Sequence, residues 1–323
     1  MTRAAVSFHD FAPEQDDFLE EVVAGLSQQP KKISPKFFYD KRGSELFDAI
    51  CAQPEYYPTQ TEMNILHNNA NDIAQHIEPD CVVVDLGSGS SEKARLLLDA
   101  LRPSGYMGVD ISREFLLAAT QRLADDFPWL DVHAVCTDFS QQLELPVQSG
   151  DKQKLAFFPG SSIGNFEPGA ALDLLRRIAE AIGEGGKLLI GVDLKKDEEL
   201  LVAAYNDDAG VTEEFNLNLL QRMQEELQAD VDVDAFSHRA FYNNKHGRVE
   251  MHLVSDCEQT IEIDGDEFSF LENESIHTEN SHKYHIEEFA ELAHQANFKV
   301  EKVWTDAEQL FSVQLLNVKT AIA

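Results

Sequence analysis

The sequence predicts an α/β fold: an open, mostly parallel sheet with an α+β segment inserted late in the chain. Three observations predict it. Short apolar runs alternate with amphipathic helical stretches from Cys81 to Asp193. The first of these runs ends in a glycine turn that opens directly into a helix. After Asp193 the alternation gives way to helices, paired strands, and a last helix followed by two strands.

The stretch from Cys81 to Asp110, CVVVDLGSGSSEKARLLLDALRPSGYMGVD, carries the most information. Val82, Val83, Val84 and Leu86 make a strand too short for a helix of its own. Gly87-Ser88-Gly89 lets the backbone turn tightly and approach a ligand. Ser90, Ser91, Glu92 and Lys93 open a helix whose apolar face is Ala94, Leu97, Leu98 and Leu101. A second strand, Tyr106 to Val109, ends in Asp110. Strand, glycine turn, helix, strand and acid form a mononucleotide-binding half of a doubly wound sheet. Dinucleotide enzymes place a third glycine where Glu92 stands, so that pyrophosphate reaches the helix N-terminus. A carboxylate there disfavours NAD. S-adenosylmethionine (SAM) has no phosphate, carries a sulfonium, and offers ribose hydroxyls to an acid such as Asp110. The turn fits SAM better; the other reading is a domain whose glycines only reverse the chain.

The chain has 323 residues, enough for one large domain or two smaller ones, and 43% of them are hydrophobic. No apolar run reaches the roughly 18 residues a membrane helix needs. The N-terminus lacks an apolar signal region, so the expected location is cytoplasmic. Cys51, Cys81, Cys136 and Cys257 are widely spaced and read as reduced. With 26 basic against 58 acidic residues the net charge is −32. Such a surface repels phosphate, which counts against a nucleic-acid partner. A solvated acidic face accounts for it.

Along the chain, residues 1–50 read as helical in pieces, with an amphipathic run from Asp16 to Leu26. Ser44 can cap a helix carrying Leu46, Phe47 and Ile50. Tyr56-Tyr57 lies between Pro54 and Pro58 and is not expected to be helical; Thr59 or Thr61 can cap the next helix. Helices follow at Arg113 to Asp125 and Pro168 to Ile182. Strands follow at Val132 to Cys136, Leu155 to Phe158 and Lys187 to Val192. Asp138 and Phe139 stand at a strand's carboxyl end, where they suit an adenine, or else cap a helix and fill the core. The loop Pro159 to Phe166 lies beside the cofactor mouth. Residues 197–229 read as helical with a break at 206–210, and 248–271 as two strands turning at Gly265. His285 to Ala296 is expected to be helix, and Val300 to Trp304 and Phe311 to Leu316 are expected to be strands that return to the main sheet. The expected division is an N-terminal helical segment at 1–78, a cofactor core at 79–196, an insertion at 197–284 and a closing segment at 285–323.

The peptides FFYDKRGSELFD, PEYYPTQTE, VDLGSGSSEK, FFPGSSIGNF, AYNDDAGVTEEFN, RVEMHL and TENSHKY occur in this order. On them the chain resembles, over nearly its whole length, the histidine Nα-methyltransferases of ergothioneine biosynthesis. The resemblance implies a Rossmann-like SAM-dependent methyltransferase sheet with an inserted α+β substrate subdomain. It implies an enzyme that methylates L-histidine three times to hercynine.

By motif, the resemblance puts Gly87, Lys93, Asp110, Asp138 and Phe139 on SAM. It puts Tyr56, Gly160, Asn165, Tyr205, Thr212, Met251, Glu279 and Ser281 on the substrate, with Tyr56, Asn165 and Tyr39 as the catalytic set. Asn165 and Tyr205 would hold the amino-acid backbone, and Glu279 and Ser281 the imidazole. No metal is expected: His277, His282 and His285 fit no standard ligand spacing. The expected state is a monomer. The sequence departs from the family pattern at Asp85, where glutamate is frequent, and at Gln60 and Ser162. The rival readings are an Nα-methyltransferase of tryptophan or another aromatic amino acid, a SAM-binding partner protein without catalysis, and an NAD enzyme.

Overall fold

The computed structural model describes residues 6–11, 17–141, 143–146 and 152–319. Backbone contacts divide the chain into two compact units. One comprises Met1–Pro13, Pro58–Lys195 and Lys283–Ala323, the other Glu14–Tyr57 and Lys196–His282.

The first unit is built on an eight-stranded sheet: β1 (Ser7–Asp10), β3 (Val82–Leu86), β4 (Gly105–Asp110), β5 (Asp131–Cys136), β6 (Lys154–Phe158), β7 (Lys187–Asp193), β13 (Phe298–Thr305) and β14 (Phe311–Val318). The strand order is β1-β5-β4-β3-β6-β7-β14-β13. From β1 to β7 every neighbouring pair is parallel; β14 runs antiparallel to β7 and β13 antiparallel to β14. From β3 the chain steps out to β4 and β5, then crosses to β6 on the other side of β3. That reversal opens a crevice at the carboxyl ends of β3 and β6, where α/β sheets hold ligands.

Alternation along β3 explains why a strand of five apolar and acidic residues is wholly buried. Val82, Val84 and Leu86 pack with Leu174, Leu175 and Ile178 of the helix Pro168–Ile182. Val83 points to the other face, toward Leu97, Leu98 and Leu101 of the helix Glu92–Leu101. Both faces of β3 are therefore covered by helices.

The second unit holds a four-stranded sheet, β2 (Lys31–Lys32), β12 (Ser275–His282), β9 (Arg248–Ser255) and β8 (Phe236–Asn243), in that order. A separate hairpin joins β10 (Gln259–Ile263) to β11 (Asp266–Phe270) through Gly265, whose φ of +87° suits glycine. The helices Asp17–Leu26, Lys41–Cys51, Glu198–Ala203 and Val211–Leu227 complete the unit. Its core gathers Phe38, Phe215, Leu219, Leu220 and Met223 with Met251, Leu253 and Ile276.

Several local expectations change. The N-terminal region also contributes β1, paired with β5. The expected helix start at Asp16 lies outside the described residues. The cap of Lys41–Cys51 is Asp40, which accepts from Gly43 N at 2.8 Å, while Ser44 is buried within the helix. The helix Tyr57–Ala74 begins before Thr59 and takes Pro58 into its first turn, where the missing amide is not needed. Residues 248–271 form three strands, and β8 and β12 flank them. Among the described residues no helix is long and apolar enough to cross a membrane.

Candidate active site

In the first unit the crevice is lined by residues from four strand ends. Gly87 and Gly89 have φ of +68° and +48°, and a side chain there would be strained. A Cβ at Gly87 would come within 3.8 Å of the Phe139 ring. Phe139 itself meets Phe158 edge-on, with centroids 5.7 Å apart. Asp110, at the end of β4, accepts from Gly89 N at 3.0 Å and from Ser112 N at 2.9 Å. Burial pushes its carboxyl up, while the amides of Ser112 and Gly89 pull it back. Asp110 therefore both fixes the glycine turn and retains lone pairs for a ligand. Asp138 accepts from Ser140 N and Gln141 Nε2, each at 3.0 Å, so it closes its own turn as well.

Asp85, at the end of β3, is buried and accepts from the Tyr106 hydroxyl at 2.7 Å. Its other oxygen, Oδ1, has no hydrogen-bond partner. Burial pushes its pKa up to about 7, partly opposed by the Tyr106 bond. Lys93 Nζ lies 2.7 Å from Glu62 Oε2. The loop after β6 is held in the left-handed region at Gly160 and Ser161, with φ of +81° and +58°. Ser161 Oγ accepts from Asp193 N at 2.9 Å. Asn165 ends the short 3-10 turn Ser162–Asn165 in this loop.

The second unit assembles most of the other expected residues. Tyr56 meets Tyr205 edge-on at 6.2 Å, and the Tyr205 hydroxyl donates to Ser281 Oγ at 2.7 Å. Glu279 and Ser281 lie on β12; Glu279 is opposite Met251 of β9 in register. Burial holds the Tyr56 phenol well above its ordinary pKa, reinforced by Tyr205, Cys51 and Glu279. Tyr39 meets Phe47 and Phe215 edge-on at 5.7 and 5.9 Å. Tyr57 differs from its neighbour: its hydroxyl accepts from Lys196 Nζ at 2.6 Å. Thr212 is buried at the start of Val211–Leu227, where its amide donates to Asp207 Oδ1 at 2.8 Å.

The chain matches the family described as "Histidine-specific methyltransferase, SAM-dependent" over residues 18–318. The chain belongs to this family. It is 39% identical over 302 residues to a histidine N-alpha-methyltransferase of Mycobacterium tuberculosis (strain CDC 1551 / Oshkosh), covering 91% of this chain and 93% of that protein. It is 35% identical over 203 residues to ergothioneine biosynthesis protein 1 of Neurospora crassa, covering 61% of this chain and 23% of that protein. A 4-dimethylallyltryptophan N-methyltransferase of Claviceps purpurea is 29% identical over 210 residues, 61% of each chain.

The methyl donor of this family is SAM, and the crevice residues suit it. Asp85 Oδ1 is a buried acceptor without a partner, and Asp110 is a second carboxyl beside the same turn. Acidic groups favour a sulfonium and ribose hydroxyls. Glu92, whose side chain is 65% exposed, stands where a pyrophosphate would approach.

Three functional candidates escaped the sequence reading. Glu62 is buried in the first unit. Asp207 accepts from the first two amides of Val211–Leu227; burial raises its pKa, but hydrogen bonds from Thr212 and Val211 prevail and hold it low. Both lie in the quoted peptides, which was the available signal. The third is the cluster Glu250, His252 and His277, whose ligand atoms lie within 4.8 Å of one another. Its geometry does not suit a metal. The two imidazoles stack at 4.7 Å with planes 11° apart, so their in-plane lone pairs run side by side and do not converge. Arg248 Nε already donates to Glu250 Oε1 at 2.7 Å. Burial, then His277, pushes His252 down to about 4, which leaves it neutral. His277 and His282 lie on β12, and His285 caps the helix Ile286–Gln295.

Proposed function

We propose that this enzyme transfers methyl groups from SAM to the α-amino group of L-histidine, three times in succession, giving hercynine as in ergothioneine biosynthesis. The family match across residues 18–318 carries the reading. The 39% identity to a histidine N-alpha-methyltransferase supports it.

In this reading Gly87 gives the cofactor close access to the turn, Asp110 takes its ribose hydroxyls, Asp138 and Phe139 take its adenine, and Lys93 takes its carboxylate. Gly160, Asn165 and Tyr205 hold the substrate backbone, with Thr212 and Met251 completing the contacts. Glu279 and Ser281 hold the imidazole. Tyr39 and Tyr56 face the amine. SAM held by these residues would supply an electrophilic methyl group for the amine, the carbon–sulfur bonding electrons staying with sulfur.

The protein's own residues contribute mainly position. An α-amino group titrates at about 7.7–8.0 in peptides and higher in free histidine, so only a fraction of the substrate amine is neutral near physiological pH. The Tyr56 phenol, held well above its ordinary pKa by burial, serves as a hydrogen-bond partner and not as a phenolate base. Water then receives the amine proton. Each methylation removes a donor from the amine, so the substrate must be anchored through its carboxylate and imidazole. A carboxylate accepting from an imidazole N–H selects histidine, since apolar side chains would leave it unpaired. The enzyme is read as a monomer acting in the cytoplasm, which light scattering and cell fractionation test.

Mass spectrometry of protein, SAM and the mixed amino acids tests the reading. Gain of three methyl groups on histidine alone supports it; methylation of another amino acid overturns the substrate assignment. The 4-dimethylallyltryptophan relative makes an aromatic amino acid the second reading. Glu279→Ala separates them: histidine turnover should fall at least roughly ten-fold while an indole substrate is spared.

A further inference from the structure

We propose that Glu62 is a positioning residue, a buried carboxylate that clamps the Lys93 ammonium and the Gly160 amide and so presets both groups for their ligands. The proposal rests on the reading of Lys93 as a SAM contact and Gly160 as a substrate contact.

The geometry converges on this one carboxylate. The Glu62 side chain is 1% exposed. Its Oε1 and Oε2 lie 3.1 and 2.9 Å from Gly160 N, which donates to them. Oε2 is also 2.7 Å from Lys93 Nζ. Two glycines make room for the arrangement. A Cβ at Gly160 would stand 3.3 Å from Lys93 Nζ, and a Cβ at Gly191 would stand 2.0 Å from Glu62 Oε1. The second distance is far inside contact, so β7 admits the carboxylate only because residue 191 has no side chain.

A buried ion pair is weak evidence of a stabilising role, because desolvation offsets the attraction. What this pair does supply is placement. A lysine stem is flexible, and holding its ammonium in advance removes ordering that a ligand would otherwise impose. Lys93 keeps its side chain 20% exposed. An ammonium has three donors, and Glu62 needs one of them, which leaves others for an incoming carboxylate. The same clamp fixes the amide of a loop whose Gly160 already adopts a φ of +81°. Helix Tyr57–Ala74, helix Glu92–Leu101 and the loop after β6 are thereby tied at the mouth of the crevice.

Glu62→Gln tests the clamp. It keeps the volume, and its carbonyl oxygen can take the Oε2 position beside Gly160 N and Lys93 Nζ, but it removes the negative charge that holds the ammonium. SAM affinity is read by calorimetry, and kcat and KM for histidine by steady-state kinetics. SAM Kd should rise roughly ten-fold as the clamp on Lys93 loses its charge assistance, with Glu62→Asp partly restoring it. If Glu62 acts through Lys93, the double variant with Lys93→Met should bind SAM no more weakly than Lys93→Met alone. Should Glu62→Gln fail to fold, Gly191→Ala displaces the carboxylate from the other side and should weaken SAM in the same way. Wild-type SAM affinity and histidine kinetics in Glu62→Gln, beside a lowered melting temperature, would overturn the proposal and leave Glu62 a packing residue. If Lys93→Met weakens SAM and Glu62→Gln does not, the clamp alone fails. If Lys93→Met leaves SAM affinity unchanged, the reading of Lys93 fails and the clamp fails with it.

Discussion

Replacing Asp85 by asparagine should flatten part of the pH dependence of stability. Asp85 is buried at the end of β3, and burial moves its pKa from 3.8 to about 7. The folded form therefore holds a proton that the unfolded chain releases. Below the unfolded pKa both states are protonated, and the group contributes no penalty. As pH rises, the unfolded chain ionises first, and stability falls until the folded pKa near 7 is passed. A shift of about three units corresponds to about 4 kcal/mol at full extent. Asparagine does not ionise, and its carbonyl can still accept from the Tyr106 hydroxyl, which lies 2.7 Å from Asp85 Oδ2. The assay is urea unfolding of ligand-free protein at several pH values. Both tryptophans, Trp129 and Trp304, belong to the unit that contains Asp85, so their fluorescence reports the right transition. The stability of Asp85→Asn relative to the parent should climb by about 4 kcal/mol from pH 4 to pH 8, and change little above that. A constant difference across that range would refute the reasoning, since it would mean that Asp85 ionises equally in both states.

Two further outcomes are expected. Tyr56→Phe should raise the histidine KM by roughly ten-fold without moving the rising limb of the pH–rate profile, because the phenol stays protonated throughout the neutral range. A shifted limb would mark Tyr56 as the titrating base. Lys283 Nζ lies 2.6 Å from Asp193 Oδ2, with both side chains 1% exposed. Lys283→Met should cost about 3–5 kcal/mol in the same fluorescence assay, because it leaves the Asp193 charge buried without this ammonium.

Local pattern by itself determined the cofactor half of the fold. The run Val82–Leu86, the glycine turn, the helix face Ala94, Leu97, Leu98 and Leu101, and Asp110 follow from neighbouring residues, and each is buried or placed as that pattern requires. The helix Pro168–Ile182 matches its expected bounds because proline favours its start and glycine its end. The peptide resemblance implies substrate roles for Tyr56, Tyr205, Glu279 and Ser281 without giving their strand and loop settings.

Only the tertiary structure decided what depends on distant partners. β12, with sequence SIHTENSH, has no clean alternation, and it is a strand because β9 and β2 pair with it. β1 exists because β5 offers an open edge. Asp40, not Ser44, caps its helix because backbone geometry sets Asp40 before the first turn and Ser44 inside it. Glu62 is one of 58 acids and looks like any polar helix residue. Its burial was settled by Lys93, Gly160 and Gly191, three positions that the sequence separates and the fold brings to one carboxylate.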